Sequence, residues 1–264
     1  MRYFLKLAYN GKNYFGWQRQ PKQTSVQEVL EEKLSIFLRS EIAVVGAGRT
    51  DTGVHAKAYF AHFDADEIPD KEEFIFRMNS FLPKDIAIYD LFPVKDQAHA
   101  RFDATNRTYH YHFNFRKDPF LNELALQIHK LPNIQRMKEA GEMLIGRQDF
   151  TSFSRSGSDV KTFICDIQKV EWTQSQNYFR FSITADRFLR NMVRAIVGTL
   201  LEIGYEKMEV SDMKMIISRK DRSLAGPSAP AHGLYLARVE YPDHIFLNKP
   251  PKEKDCEEAQ AIFI

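Results

Sequence analysis

Between residues 3 and 94 the spacing of apolar residues switches between two periods, and the order of the switches leaves few folds open. Tyr3, Leu5, Leu7 and Tyr9 recur every second residue, the mark of a strand with one buried face. Val26, Val29, Leu30, Leu34, Phe37 and Leu38 then recur at helical spacing. Ser25 and Glu28 stand before them in the pattern of a capping box. Residues 42–45 predict a short β-branched strand, and residues 56–63 predict its return. Asp70 precedes a second helix that runs to about Phe81, where Pro83 stops it. Residues 86–94 predict a last strand.

That order, β-α-β-β-α-β, is the ferredoxin-like unit. The second half predicts the same order with longer insertions. Residues 107–116 read as a strand, 133–146 as a helix ending in glycine, and 162–173 with 178–184 as a hairpin. Residues 188–203 read as a helix, 211–218 as an extra helix and 234–241 as a final strand. The expected fold class is therefore α+β: two ferredoxin-like halves, with antiparallel-rich sheets flanked by helices. The halves are residues 1–104 and 105–241. The repeat is architectural, with no matching sequence period. Residues 242–264 read as an appended tail, rich in Pro, Lys and Glu until Ala259.

The chain carries 37 Lys and Arg against 35 Asp and Glu, a formal net charge of +2 that excludes a polybasic-arm mode of nucleic-acid binding but not a local basic groove. Cys165 and Cys256 form no CxxC pair, which argues against a zinc site or disulfide framework and fits a reducing, cytoplasmic setting. Lys6 interrupts the N-terminal apolar run too soon for a signal peptide. The most apolar helical stretch, residues 192–201, is short and contains Arg194, so no membrane span is expected. With 21 Phe, 11 Tyr and 2 Trp the chain can fill a core, or combine aromatics with arginine to hold unstacked bases.

Four segments carry candidate chemistry. The turn Gly46-Ala47-Gly48-Arg49-Thr50-Asp51-Thr52-Gly53-Val54-His55-Ala56 lacks the Gly-Lys-Ser/Thr ending of a phosphate loop and the third glycine of a dinucleotide fingerprint. Asp51 beside Arg49 suits a nucleophile or base, since a neighbouring cation favours the ionised carboxylate, although a self-bonded hairpin turn has the same pattern. On the strand at 107–115, Arg107, Tyr109, Tyr111, Phe113 and Phe115 share one face, and His110, His112 and Asn114 the other. The first face suits core packing or base stacking. The His-x-His pair lacks an evident third metal ligand. Arg187, Arg190 and Arg194 fall at helical spacing, as a solvated face or as phosphate and carboxylate binders. Tyr14-Phe15-Gly16-Trp17-Gln18-Arg19-Gln20 reads as a surface loop with one anchoring Trp, or as a contact loop for bases.

Over residues 1–241 the chain resembles the TruA family of tRNA pseudouridine synthases. The Gly48-Arg49-Thr50-Asp51-Thr52-Gly53-Val54-His55-Ala56 block is similar to that family's catalytic signature. Further blocks match in order: residues 14–20, Arg107-Thr108-Tyr109, residues 149–154, residues 188–200 with Met192-Val193-Arg194, and Gly226-Pro227-Ser228-Ala229-Pro230 through Gly233-Leu234-Tyr235-Leu236. The departures are Asn10 where Asp is usual, Ser228 where Thr is commoner, and Ala231-His232 in a variable stretch.

The resemblance implies an isomerase making pseudouridine at positions 38, 39 and 40 of the tRNA anticodon stem-loop, working without cofactor or metal, as a homodimer. It implies an active-site cleft between the halves. Asp51 would be the catalytic carboxylate, Arg194 its ion-pair partner and Tyr109 the residue against the target base. Arg49 would fill the space left by an extruded nucleotide, and Leu234 would wall the uracil pocket. Arg107, Trp17, Gln18, Arg187 and Arg190 are the further candidates for RNA contact. Two competing readings are a tRNA-binding module without catalysis and a metal-dependent hydrolase using His110, His112 and Asp51.

Overall fold

A computed structural model describes residues 1–155, 157 and 160–248. Cys256 and the tail from residue 249 lie outside the described residues. The first part of the chain runs β1 (Arg2–Tyr9), α1 (Val26–Leu38), β2 (Val45–Gly46), β3 (His55–Asp64), α2 (Lys71–Phe81) and β4 (Ile86–Val94). The second runs β5 (Asn106–Asn114), β6 (Leu126–Gln127), α3 (Ile134–Glu142), β7 (Gly146–Asp149), β8 (Ile164–Ser175), β9 (Tyr178–Ala185), α4 (Met192–Gly204), α5 (Asp212–Arg219) and β10 (Leu234–Glu240). This is a mixed α/β fold.

The strands form one sheet rather than two. Its order is β4-β1-β3-β10-β5-β9-β8-β7, with β2 on β3 and β6 on β5. Neighbours are antiparallel except β5–β6 and the seam where β10 pairs parallel with β3, Tyr235 opposite His55 and Leu236 opposite Ala56. The final strand is thus inserted in the middle of the sheet. One buried cluster gathers β1, β3, β4, α1 and α2, and a second gathers β5, β8, β9, α3, α4 and α5.

Local chemistry sets the element ends. The Ser25 hydroxyl accepts the Glu28 amide at 3.2 Å, and Asp70 caps α2 through the Glu73 amide at 2.9 Å. Residues 42–45 form less strand than their β-branched sequence predicts. Side chains of α1 capture that backbone: Ser35 Oγ takes the Ile42 amide at 2.9 Å, Glu31 takes the Val44 amide at 3.1 Å, and Gln27 donates to the Val44 carbonyl at 2.9 Å. Only Val45 and Gly46 are left to pair with β3.

The helix expected over residues 188–203 begins at Met192, because Asn191 adopts a left-handed backbone (φ 65°). Arg187 and Arg190 therefore sit in the preceding loop, and the three-arginine helical stripe does not exist. The start of the predicted tail is ordered. Tyr241 and Phe246 pack edge-on to Phe4 at 5.1 and 6.0 Å, and Leu247 donates to the Pro93 carbonyl at 3.1 Å. Among the described residues no helix is long and apolar enough to cross a membrane.

The strand β5 separates its two faces as its alternation predicts. Tyr111 and Phe113 point into the second core, while His112 is buried on the other face and His110 half-buried beside it. Burial, with help from Arg180 and Lys57, pushes His110 down to about 3. The unfolded chain therefore binds a proton that the folded chain refuses between that value and about 6.5. Stability is full above this window and is lost as pH falls through it. In urea titrations, His110→Gln should lose less stability than the parent between pH 6.5 and 4.5, by about 1 kcal/mol per pH unit. Parallel losses in the two proteins would remove His110 as the cause.

Candidate active site

The loop between β2 and β3 carries Asp51, and the Tyr14–Gln20 segment is its bed. Tyr9 and Thr50 hydroxyls bond at 2.8 Å, and the Trp17 amide donates to the Thr50 carbonyl at 3.3 Å. The Tyr59 hydroxyl donates to the Gly48 carbonyl. Trp17 is 3% exposed and stacks on Tyr59 at 4.1 Å. Gly16 has a left-handed backbone (φ 85°), and a Cβ there would lie 2.3 Å from the Thr50 carbonyl oxygen, so glycine alone lets the loop sit this low. Val54 donates back to the Asp51 carbonyl at 3.1 Å, closing the turn.

Beneath the loop, the Gly11 amide donates to His55 Nδ1 at 3.1 Å, which leaves Nε2–H to donate to the His232 carbonyl at 3.1 Å. Burial pulls the pKa of His55 below its ordinary value, which keeps that neutral form.

Arg194 comes from the first turn of α4. Its Nε donates to the Ala229 carbonyl at 2.7 Å, and its own carbonyl accepts the Ala229 amide at 2.9 Å. The segment 226–230 can lie this close because α4 offers Gly198, where a Cβ would fall 1.6 Å from the Pro227 carbonyl oxygen. Held this way, Arg194 Nη1 reaches Asp51 Oδ2 at 3.4 Å across 143 positions of sequence. Arg190 Nε approaches Oδ1 at 3.9 Å from the loop before the helix. The Asp51 side chain is 26% exposed, so the carboxylate is held from one side and open on the other.

Tyr109 lies on β5 with Phe188 edge-on at 5.1 Å. Burial pushes its phenol up to about 12, with Arg107 pulling the other way and the Asp51 charge adding to the rise. Leu234 and Leu236, 5% and 2% exposed, pair with Tyr111 and Tyr109 across the strand boundary and line the same face.

The other expected contacts divide. Arg49 and Gln18 are exposed, and Arg187 is half-buried. Trp17 is core, so its expected role as an RNA contact is corrected to loop support. Arg107 is corrected too. Its Nη1 donates to the Ala104 and Asp186 carbonyls at 3.0 and 2.8 Å, and its Nη2 to Ala47 and Arg101 at 3.2 and 2.6 Å. A guanidinium has five N–H donors, so four are spent bracing the backbone. The hydrolase reading needs His110, His112 and Asp51 together. Instead His112 packs against Tyr178 and Tyr235 at 5.5 and 4.6 Å, on the face away from Tyr109. Among the described residues no three His, Cys, Asp or Glu converge on a metal position.

Sequence reasoning missed Asn191, Arg222 and the hydroxyl of Ser228. Arg222 Nη1 donates to the Ala225 and Gly226 carbonyls at 3.3 and 3.1 Å, and Nη2 to Ser228 Oγ at 3.1 Å. Asn191 donates to the same hydroxyl at 2.6 Å. The available signal was an arginine four residues before a Gly-Pro turn, where a guanidinium can span successive carbonyls.

A family model described as tRNA pseudouridine synthase matches residues 7–103 and 140–242. The curated "tRNA pseudouridine synthase A" of Parabacteroides distasonis is 51% identical over 246 residues, covering 93% of this chain and 98% of that one. The proteins of the same name from Porphyromonas gingivalis and Bacteroides fragilis are each 51% identical over 250 and 247 residues, covering 93% of this chain and 99% and 98% of theirs.

The role found for Trp17 is directly testable. Trp17→Ala should lose about 3–5 kcal/mol of stability in urea, the range for emptying a large aromatic site. Trp17→Phe should retain most of it and bind RNA as the parent does. A Trp17→Phe protein that is stable but deficient in RNA binding would restore the contact role.

Proposed function

The chain belongs to the tRNA pseudouridine synthase family, and we propose that it converts uridine to pseudouridine at positions 38, 39 and 40 of the tRNA anticodon stem-loop, with Asp51 as the catalytic carboxylate. The observation that carries this reading is the Arg194–Asp51 pair at 3.4 Å, which leaves one side of the carboxylate open beside Tyr109. The isomerisation breaks the N1–C1′ bond, turns the uracil and joins C5 to C1′. N1 gains a proton and C5 loses one, so the balance needs no oxidant, reductant or cofactor.

Asp51 meets the ribose C1′ or the base C6 of a nucleotide taken out of the stack. Arg194 is the positioning residue that aims it, anchored in turn by Ala229. Tyr109, whose phenol is un-ionised at neutral pH, stacks on the base and relays a proton rather than standing as a free phenolate. Leu234 walls the uracil. Arg49 occupies the vacated position in the RNA, and Arg187, Arg190 and Gln18 form the rim that meets the backbone.

The same reading divides the chain into residues 1–104 and 105–241, because the strand orders β4-β1-β3-β2 and β10-β5-β9-β8 each repeat the 4-1-3-2 order of a β-α-β-β-α-β unit. It places the protein in the cytoplasm as a homodimer, a form that lets an elongated tRNA touch both subunits.

Asp51→Asn should lower tritium release from tRNA labelled at uridine C5 by about a thousandfold or more while tRNA binding survives. Full turnover in that variant would sink the assignment. Tyr109→Phe should cost turnover more than binding, and a loss confined to binding would leave Tyr109 as a stacking surface alone.

A further inference from the structure

Beside the catalytic pair lies an open basin of about 510 Å³, lined by Arg155, Asn191, Arg194, Arg222 and Ser228. Three of its five lining residues are arginines and none is acidic. Asp51 meets Arg194 at Nη1 and Arg190 at Nε, and is not among the residues that line the basin.

The basin is built rather than accidental. Arg222 is fixed by three hydrogen bonds to the segment 225–228, and among the described residues its Nε–H and one Nη2–H have no acceptor. Ser228 Oγ accepts from both Arg222 and Asn191, so its own proton is directed elsewhere. The Arg155 amide donates to the Arg190 carbonyl at 3.0 Å, which ties this wall to the loop that approaches Asp51. The anchored guanidiniums of Arg194 and Arg222, with a hydroxyl and an amide beside them, are the donor set for a phosphate oxygen. Its volume exceeds one phosphate and takes the attached sugar as well.

Arg194 belongs to both places: its Nη1 donates to Asp51 Oδ2 at 3.4 Å, and the residue also lines the basin. We propose that this basin seats a phosphodiester adjoining the nucleotide that reacts at Asp51, with Arg155 and Arg222 as its positioning residues. The inference rests on the isomerase reading and adds to it. The phosphate fixes the sugar, and the sugar places C1′ against the carboxylate. One guanidinium in contact with both would hold the distance between the backbone and the reacting carbon.

The test is a chemical double-mutant cycle on an anticodon stem-loop RNA carrying a neutral methylphosphonate on one side or the other of the target uridine. Binding is read by fluorescence anisotropy and turnover by tritium release. With the parent protein, one of the two replacements should weaken binding about tenfold, the cost of one charge-assisted contact. With Arg155→Gln, or with Arg222→Lys (which keeps the charge but not the fork), the same replacement should change binding less than twofold.

Undiminished losses in both variants, or no loss with either RNA in the parent, would overturn the proposal. Arg155 is exposed, so its substitution keeps the test valid even if Arg222→Lys loosens the loop. Absent turnover of the unmodified RNA by the parent would count against the isomerase reading alone, because the anisotropy cycle does not need chemistry.

Discussion

The contact between Arg194 and Asp51 is one that the rest of the molecule is arranged to permit. Two charged groups 3.4 Å apart on a free surface would be worth little. Here each partner is immobilised before they meet. The loop of Asp51 is pinned by Tyr9, Trp17 and Tyr59, and Arg194 is clamped at both its Nε and its carbonyl by Ala229. The entropy of holding two side chains in one geometry is thus met by packing around them. That is also why the aromatics under the loop, which contact no reacting group, matter to the geometry above them.

Much of the fold was legible because it rests on local rules. The capped helices α1 and α2, the hairpin of β8 and β9 and the face alternation of β5 follow from spacing and capping residues. Three features were not. The strand expected at residues 42–45 was lost to side chains of α1, a competition that periodicity does not register. The arginine stripe dissolved because Asn191 took a left-handed conformation, which residue type alone only permits. The single continuous sheet depends on where β10 inserts, a long-range choice.

The site shows the same division. Asp51, Tyr109 and Arg194 stood out through an ordered set of motifs, and the structure puts Arg194 within 3.4 Å of Asp51. Arg107 and Trp17 have the residue types of RNA contacts, yet their surroundings spend them internally. Nothing in sequence separates an arginine facing four carbonyls from one facing solvent. The basin was illegible for the opposite reason: Arg155, Arg194 and Arg222 are far apart in the chain and share no pattern until α4 and the 225–230 segment pack together. A net charge of +2 is therefore a poor guide to the surface, since the basin wall alone holds three arginines without an acid.

The parallel seam between β3 and β10 has a consequence for how the protein is made. Among the described residues, the strand that fills the middle of the sheet is the last one to be synthesised. Until it arrives, β3 and β5 each present a bare edge, and unpaired edges invite wrong partners. The 226–230 segment that clamps Arg194 immediately precedes that strand, so the contact between Arg194 and Asp51 cannot be set before that segment is made. A chain that stops short of residue 226 therefore has neither a closed sheet nor a clamp on the arginine that meets Asp51.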